Sequence, residues 1–333
     1  MTASTTHWSG WATRSSGAAR NRAGIEFVRP ALHLSHTTNT TDKTTGNVRM
    51  WNGDALDLDA YLAHLGYEGD RSPTLATLRE LHRAHVLSVR WENLDSVLRG
   101  DVPLDLATLQ SKMIGNARGG YCFEHATLYA AALERLGFTF FAVLGRIRMG
   151  APKMLPTTHA MLIVEIDGQR WLSDIGFGAS PLEPIELTDG TETTDGVWAY
   201  RLRRGEVTPG ADGWTLYQPA GELEGESDDT GDGWMARHTF TLDPQYPVDF
   251  RMANHFIATS SHSPFSYRPF IQRVHPDRLH LLDNRTLTTI RPGVPGPPEV
   301  RELEPEEVPK VLADVFGIEL TPADTSLLLT KLA

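Results

Sequence analysis

Arg118-Gly119-Gly120-Tyr121-Cys122-Phe123-Glu124-His125 is the stretch on which the reading of this chain turns. Its cysteine is the only one among 333 residues. Two glycines precede it, and apolar residues at helical spacing run from Cys122 to Leu136, where Gly137 supplies a stop. A thiol at a helix N-terminus meets backbone N–H groups without intrahelical partners and the positive end of the helix dipole, both of which favour thiolate. The glycines let another backbone approach beside it. A lone cysteine makes no intramolecular disulfide, so an oxidising compartment is not called for and the cytosol is the expected location.

Working outward, Leu56, Leu58, Tyr61, Leu62 and Leu65 mark one amphipathic helix ending at Gly66. Leu75, Leu78, Leu81, His82, His85 and Val86 mark a second after Ser72-Pro73, and residues 104–114 a third. After Gly137 the period falls to about two. Strands are expected over residues 138–147, 160–166, 170–175, 198–203, 214–218 and 238–242, with Asp167-Gly168 as a hairpin turn. Two helices, 305–316 and 322–332, are expected to close the chain. The reading is an α+β fold: a disordered extension over 1–49, a helical bundle carrying the cysteine over 50–137, an antiparallel β-barrel over 138–255, and an α/β lid over 256–333. The extension is Ser/Thr-rich, with six Arg or Lys against Glu26 and Asp42 alone.

Composition narrows the classes. Hydrophobic residues make up 40% and charged residues 22%, and no apolar run reaches the length of a membrane span. A net charge of −11 without a segregated basic patch argues against nucleic acid as a partner. The acidic, Gly-rich block 222–232 reads as a solvated loop. No H-E-x-x-H and no cysteine pair is present among the 13 histidines, so no metal is expected.

A nucleophilic thiol needs a base, and the base an orienting acceptor. His159 opens one predicted strand and Asp174 ends the next, so the Asp167-Gly168 hairpin brings them to the same end of a strand pair. Each residue alone has an ordinary reading, as a strand-end imidazole or a turn former. Their occurrence with the sole cysteine gives the order Cys, His, Asp of a papain- or transglutaminase-like thiol site. His125 shares the cysteine's helix at three residues' spacing and reads as a wall residue rather than a base. Gly176-Phe177-Gly178 is a weak candidate for seating a phosphate on backbone amides.

Arg118-Gly119-Gly120-Tyr121-Cys122-Phe123-Glu124, Thr158-His159 and Asp174-Ile175-Gly176-Phe177-Gly178 together resemble the arylamine N-acetyltransferase family. Trp91-Glu92-Asn93-Leu94, Ser263-Pro264-Phe265 and Gln272-Arg273 resemble further elements of that family, in the same order. The resemblance implies Cys122 as nucleophile, His159 as base and Asp174 as orienter, with acetyl-CoA as co-substrate. It also implies that Gly176, Phe177 and Gly178 contact the coenzyme, and that Arg118 and Glu92 pair to brace the cysteine-bearing loop. Tyr121, Phe123 and Phe177 are expected to wall the ring of an aromatic amine or hydrazine. A monomer or weak homo-oligomer with neither membrane nor nucleic acid as partner is expected. One departure stands out: Ala126 takes the place of an Asn common in the family. An amide synthase closing an aryl-amine macrolactam, a thiol hydrolase or transglutaminase-like enzyme, and a non-catalytic binding module on the same fold are the rival readings.

Overall fold

The computed structural model describes residues 50–151, 153–194, 198–220, 229–292, 294 and 296–333. The expected disordered extension, and residues 221–228 of the acidic loop, lie outside them.

The first segment is helical: α1 (Leu58–Leu65), α2 (Leu75–Ser88), α3 (Leu94–Arg99), α4 (Leu106–Leu109) and α5 (Cys122–Leu136). Side-chain oxygens set the starts of α1 and α2, where Asp57 accepts from the Ala60 amide at 3.0 Å and Thr74 from the Thr77 amide at 3.2 Å. Gly66 and Gly137 end α1 and α5 at φ of 67° and 81°. A short strand, β1 (Trp91–Glu92), lies between α2 and α3.

Eight strands follow: β2 (Thr139–Ile147), β3 (Thr157–Ile166), β4 (Gln169–Ser173), β5 (Ile185–Glu186), β6 (Glu192–Thr194), β7 (Ala199–Thr208), β8 (Ala211–Pro219) and β9 (Trp234–Phe240). They form one antiparallel sheet in the order β5-β4-β3-β2-β9-β8-β7-β6, curled into a nearly closed barrel. The Asp167-Gly168 hairpin forms as read from the sequence, with φ of 51° and 78° at its two central residues. Strands β7 and β8 run further than expected because their far ends project into solvent: Arg203 to Glu206 are all exposed, so no apolar alternation marks them. The two-residue β5 and three-residue β6 carry too little pattern to be seen in advance.

Helix α6 (Pro247–Thr259) was not anticipated, and it runs across the division drawn between residues 255 and 256. The last segment holds β10 (Phe270–Val274), β11 (Leu279–Asp283), β12 (Thr286–Ile290), β13 (Glu299–Glu302), α7 (Val308–Val311) and α8 (Pro322–Leu332). A 3₁₀ turn over Pro305–Glu307 precedes α7, and a π-helical turn over Leu312–Phe316 follows it. The edge of this second sheet is β1, giving the order β1-β10-β11-β12-β13. Period-two alternation gives its faces different duties: Ile271 and Leu282 pack on Leu312, Phe316 and Leu328, whereas Phe270, Gln272 and Leu279 face a cavity. Among the described residues no helix is long and apolar enough to cross a membrane.

Candidate active site

Cys122 is the first residue of α5 and is 7% exposed. The close approach allowed by its flanking glycines is real. The amide of Glu92 donates to the Gly120 carbonyl at 2.9 Å and that of Gly120 to the Arg90 carbonyl at 3.2 Å. A Cβ on Gly176 would fall 2.9 Å from the Cys122 Cα.

His159 and Asp174 meet as the hairpin requires. His159 Nε2 donates to Asp174 Oδ1 at 2.8 Å, and both side chains are buried. The Cys122 sulfur donates to the carbonyl of Thr158, the residue before His159, at 3.5 Å, and acts electrostatically on the imidazole. Burial alone would lower the pKa of His159, but the Asp174 carboxylate, helped by Cys122, raises it to about 9. Burial likewise works against the charge of Asp174, yet His159 holds this carboxyl well below the usual range. At neutral pH the pair is therefore an imidazolium bound to a carboxylate, beside a thiol.

Cys122 and His159 border a cavity of about 230 Å³ with mostly apolar walls, lined also by Trp91, Gly176, Phe177 and Arg237. The Arg237 guanidinium lies 3.7 Å above the Phe177 ring, bonds Gln218 Oε1 at 2.6 Å and also donates to the Ala179 carbonyl. Trp91 spans from the cavity to the Cys–His–Asp cluster, its Nε1 donating to the Gly176 carbonyl at 2.7 Å.

Arg118 and Glu92 are brought together as the resemblance implied, at 2.8 Å, inside a larger buried network. Lys112 joins Glu124 and Asp95 at 2.7 Å each, and Glu124 also accepts the Tyr121 amide at 3.0 Å. Burial alone would lower the pKa of Lys112, but Glu124, Glu92 and Asp95 more than offset it and keep the ammonium charged. Sequence reasoning missed Lys112 and Asp95, since no spacing rule ties them to the cysteine loop.

Two expected cavity walls lie elsewhere. Tyr121 and Phe123 are in the core: the Tyr121 hydroxyl donates to Asn254 Oδ1 at 2.5 Å, and the Phe123 ring packs edge-on against Phe250 at 5.4 Å. Successive residues at a helix start point about 100° apart, so with Cys122 turned to the cavity Phe123 turns to α6. Phe177 does line the cavity. The glycine turn offers a phosphate fewer amides than expected, because the Phe177 N–H already donates to Ser180 Oγ at 3.0 Å. Gly178 does not border the cavity; it adopts φ 106° with Gln272 filling the space a side chain would need.

His125 belongs to a buried relay. Its Nε2 donates to the Arg90 carbonyl at 3.1 Å, so in the neutral ring Nδ1 accepts from His85 Nε2 at 2.8 Å. His85 Nδ1 in turn accepts from the Tyr61 hydroxyl at 2.7 Å. Among the described residues one group has metal-ligand chemistry: His159, Asp174 and His238, whose ligand atoms lie within 4.8 Å of one another. A metal there would have to displace the hydrogen bond from His159 to Asp174.

A family model described as N-acetyltransferase matches residues 74–325. The arylamine N-acetyltransferase of Mycolicibacterium smegmatis is 32% identical over 273 residues, spanning 80% of this chain and 93% of its own. This chain belongs to the arylamine N-acetyltransferase family. Members of the family are acyltransferases. The arylamine N-acetyltransferase of Mycobacterium abscessus superposes with a TM-score of 0.81 at 53% identity, over 85% of this chain and 97% of that one. That of Mycobacterium marinum, solved in complex with CoA, gives 0.72 at 30% identity over 83% and 98%. Within the family frame, the departure at Ala126 lies wholly buried on α5.

Proposed function

We propose that this chain transfers an acetyl group from acetyl-CoA to an arylamine, arylhydroxylamine or hydrazine by way of a thioester on Cys122. The observation that carries the reading is His159, buried, bonded to Asp174 through Nε2 and lining the same cavity as Cys122. Such an imidazolium favours the thiolate form of a neighbouring cysteine. Cys122 then attacks the acetyl carbonyl, and the backbone N–H at the first position of α5, which no intrahelical carbonyl reaches, is placed to receive the developing oxyanion. The carbon–sulfur bond to coenzyme A breaks, and His159 protonates the departing thiolate. An incoming amine attacks the thioester, His159 accepts its proton, and the Cys122 thiolate leaves with the imidazolium restored.

An arylamine suits a cavity with aromatic and aliphatic walls, since it is largely unprotonated at neutral pH and its ring packs against Phe177 and Trp91. The coenzyme complex of the Mycobacterium marinum relative supports acetyl-CoA as donor. Initial rates against acetyl-CoA and a simple aniline test the reading. Double-reciprocal lines that stay parallel as the second substrate is varied are expected from two half-reactions sharing one site. Lines converging on a common intercept would point to a ternary complex and remove the thioester.

A further inference from the structure

A second histidine stands on the far side of Asp174. His238, on β9, is fully buried, and its Nε2 lies 3.7 Å from Asp174 Oδ2. Neither ring nitrogen of His238 nor Oδ2 of Asp174 has a hydrogen-bond partner. Leaving three buried polar atoms unpaired is costly, and a shift of about 0.8–1.0 Å would bring the 3.7 Å separation of Nε2 and Oδ2 to the length of a charge-assisted hydrogen bond. The ring is held in place by its neighbours, with centroids 5.0 Å from His159, 5.6 Å from Phe177 and 6.0 Å from Phe240. Gly145 sits on β2 between the two histidine-bearing strands, opposite both His159 and Phe240, and a Cβ there would fall 2.8 Å from Met161 Cε and 3.7 Å from His238 Cδ2.

The chemistry proposed above gives this arrangement a purpose. In the resting site the Asp174 charge faces the His159 imidazolium. Once His159 has given its proton to coenzyme A, a buried carboxylate is left with a neutral partner on Oδ1 and nothing on Oδ2. We propose that His238 donates from Nε2 to Oδ2 of Asp174 and so carries the carboxylate through the interval in which His159 is neutral. His238 is thus a positioning residue, acting on the reaction through Asp174. Burial keeps its ring neutral, with one proton to donate, against the pull of Asp174. The other titratable or charged groups facing this pair are Cys122 on α5, His82 on α2 and Arg237 on β9. His82 is held neutral with its pKa lowered to about 4 by burial, and bonds Ser173 and the Pro181 carbonyl rather than Asp174. Arg237 turns its guanidinium to Phe177, Gln218 and Ala179.

The bond is worth most when His159 is neutral, which fixes the sign of the effect of losing it. His238→Phe keeps an aromatic ring between Phe177 and Phe240 but removes the donor. Asp174 then holds the His159 proton more tightly, and the NMR titration of the His159 ring moves up by about one pH unit. This readout does not depend on acetyl-CoA being the donor, so it separates failure of the inference from failure of the proposed function. In steady state, kcat/KM for acetyl-CoA is expected to fall about tenfold with its alkaline limb displaced upward, while kcat/KM for the amine does not fall. His238→Gln, which retains an N–H, is expected to restore both. An unmoved His159 titration in His238→Phe, or an equal fall in both half-reactions that Gln does not rescue, would overturn the proposal.

Discussion

The backbone of Gly176 presses so closely on Cys122 that a Cβ there would sit 2.9 Å from the Cys122 Cα and 3.2 Å from its carbonyl oxygen. Gly176, two residues past Asp174, thus sets how near the carboxylate-bearing hairpin comes to the helix that carries the thiol. Because the obstacle is backbone, Gly176→Ala has to push the two elements apart. The variant is expected to lose stability by about 1–3 kcal/mol, as overpacked sites do. Its kcat/KM is expected to fall about a hundredfold, because a displacement approaching 1 Å between reacting groups costs that much. Thermal unfolding and initial rates check the two effects separately, and wild-type rates would show that the contact tolerates a methyl group.

The charge network beneath the cysteine loop is expected to behave unlike the ion pairs on the surface. Among the described residues Lys112 is the one cation in ion-pair contact with Glu124, at 2.7 Å, and removing it as Lys112→Met takes that partner from a buried carboxyl cluster. A loss of about 3–5 kcal/mol is expected from urea unfolding. Arg71→Ala breaks the exposed pair with Asp59 at 2.8 Å and is expected to cost about 1 kcal/mol at most. Similar losses for the two variants would mean that the network carries no particular weight.

Stability should peak near pH 6.5 for reasons of opposite sign on its two flanks. Burial lowers the pKa of His82 and His125 to about 4, so between the ordinary value of 6.5 and 4 the unfolded chain binds protons that the folded chain refuses. Each such group removes about 1.4 kcal/mol per pH unit as the solution is acidified. His159 works the other way: its folded pKa of about 9 lies above 6.5, so its contribution is complete below 6.5 and is lost as pH rises to 9. Asp174, depressed by His159, loses its contribution only below the ordinary carboxylate value. Urea midpoints measured from pH 4 to 9 check the profile, and in His159→Gln the alkaline decline should shrink to the part near pH 7 left by Glu124, whose pKa burial raises to about 7.

Phe177 and Tyr121 carried the same expectation from sequence and occupy different places. Phe177→Leu, on the cavity wall, is expected to raise KM for an aniline about tenfold, the worth of one aromatic contact. Tyr121→Phe cuts the bond to Asn254 and is expected to cost about 1 kcal/mol of stability while leaving amine selectivity unchanged. A panel of ring-substituted anilines compared across both variants decides the point.

What the sequence revealed, and what it withheld, follows from range. The Cys122 helix start, the Asp167-Gly168 hairpin and the meeting of His159 with Asp174 depend on neighbours within about 15 residues, where capping, turn chemistry and period-two alternation act directly. His238 reaches Asp174 only because β9 pairs with β2 and β2 with β3, a strand order that no local pattern records. Lys112 and Asp95 join the cysteine loop by the same long-range route. Helix α6 escaped notice because Val248, Met252 and Phe256 form an exposed apolar row alongside the buried Phe250, Asn254 and Ile257, which blurs its amphipathic stripe. The glycines at 176 and 178 also have a packing role that no local sequence pattern records. A Cβ at either position would meet Cys122 or Gln272, so a side chain does not fit there.

The thioester is tested most directly by intact mass after incubation with acetyl-CoA in the absence of amine, followed by peptide mapping. One acetyl group per chain is expected, located on Cys122, absent from Cys122→Ala and discharged when an aniline is added. A thiol that reacts with an alkylating reagent yet acquires no acetyl group, or an adduct that water removes at a rate indifferent to added aniline, would contradict the account.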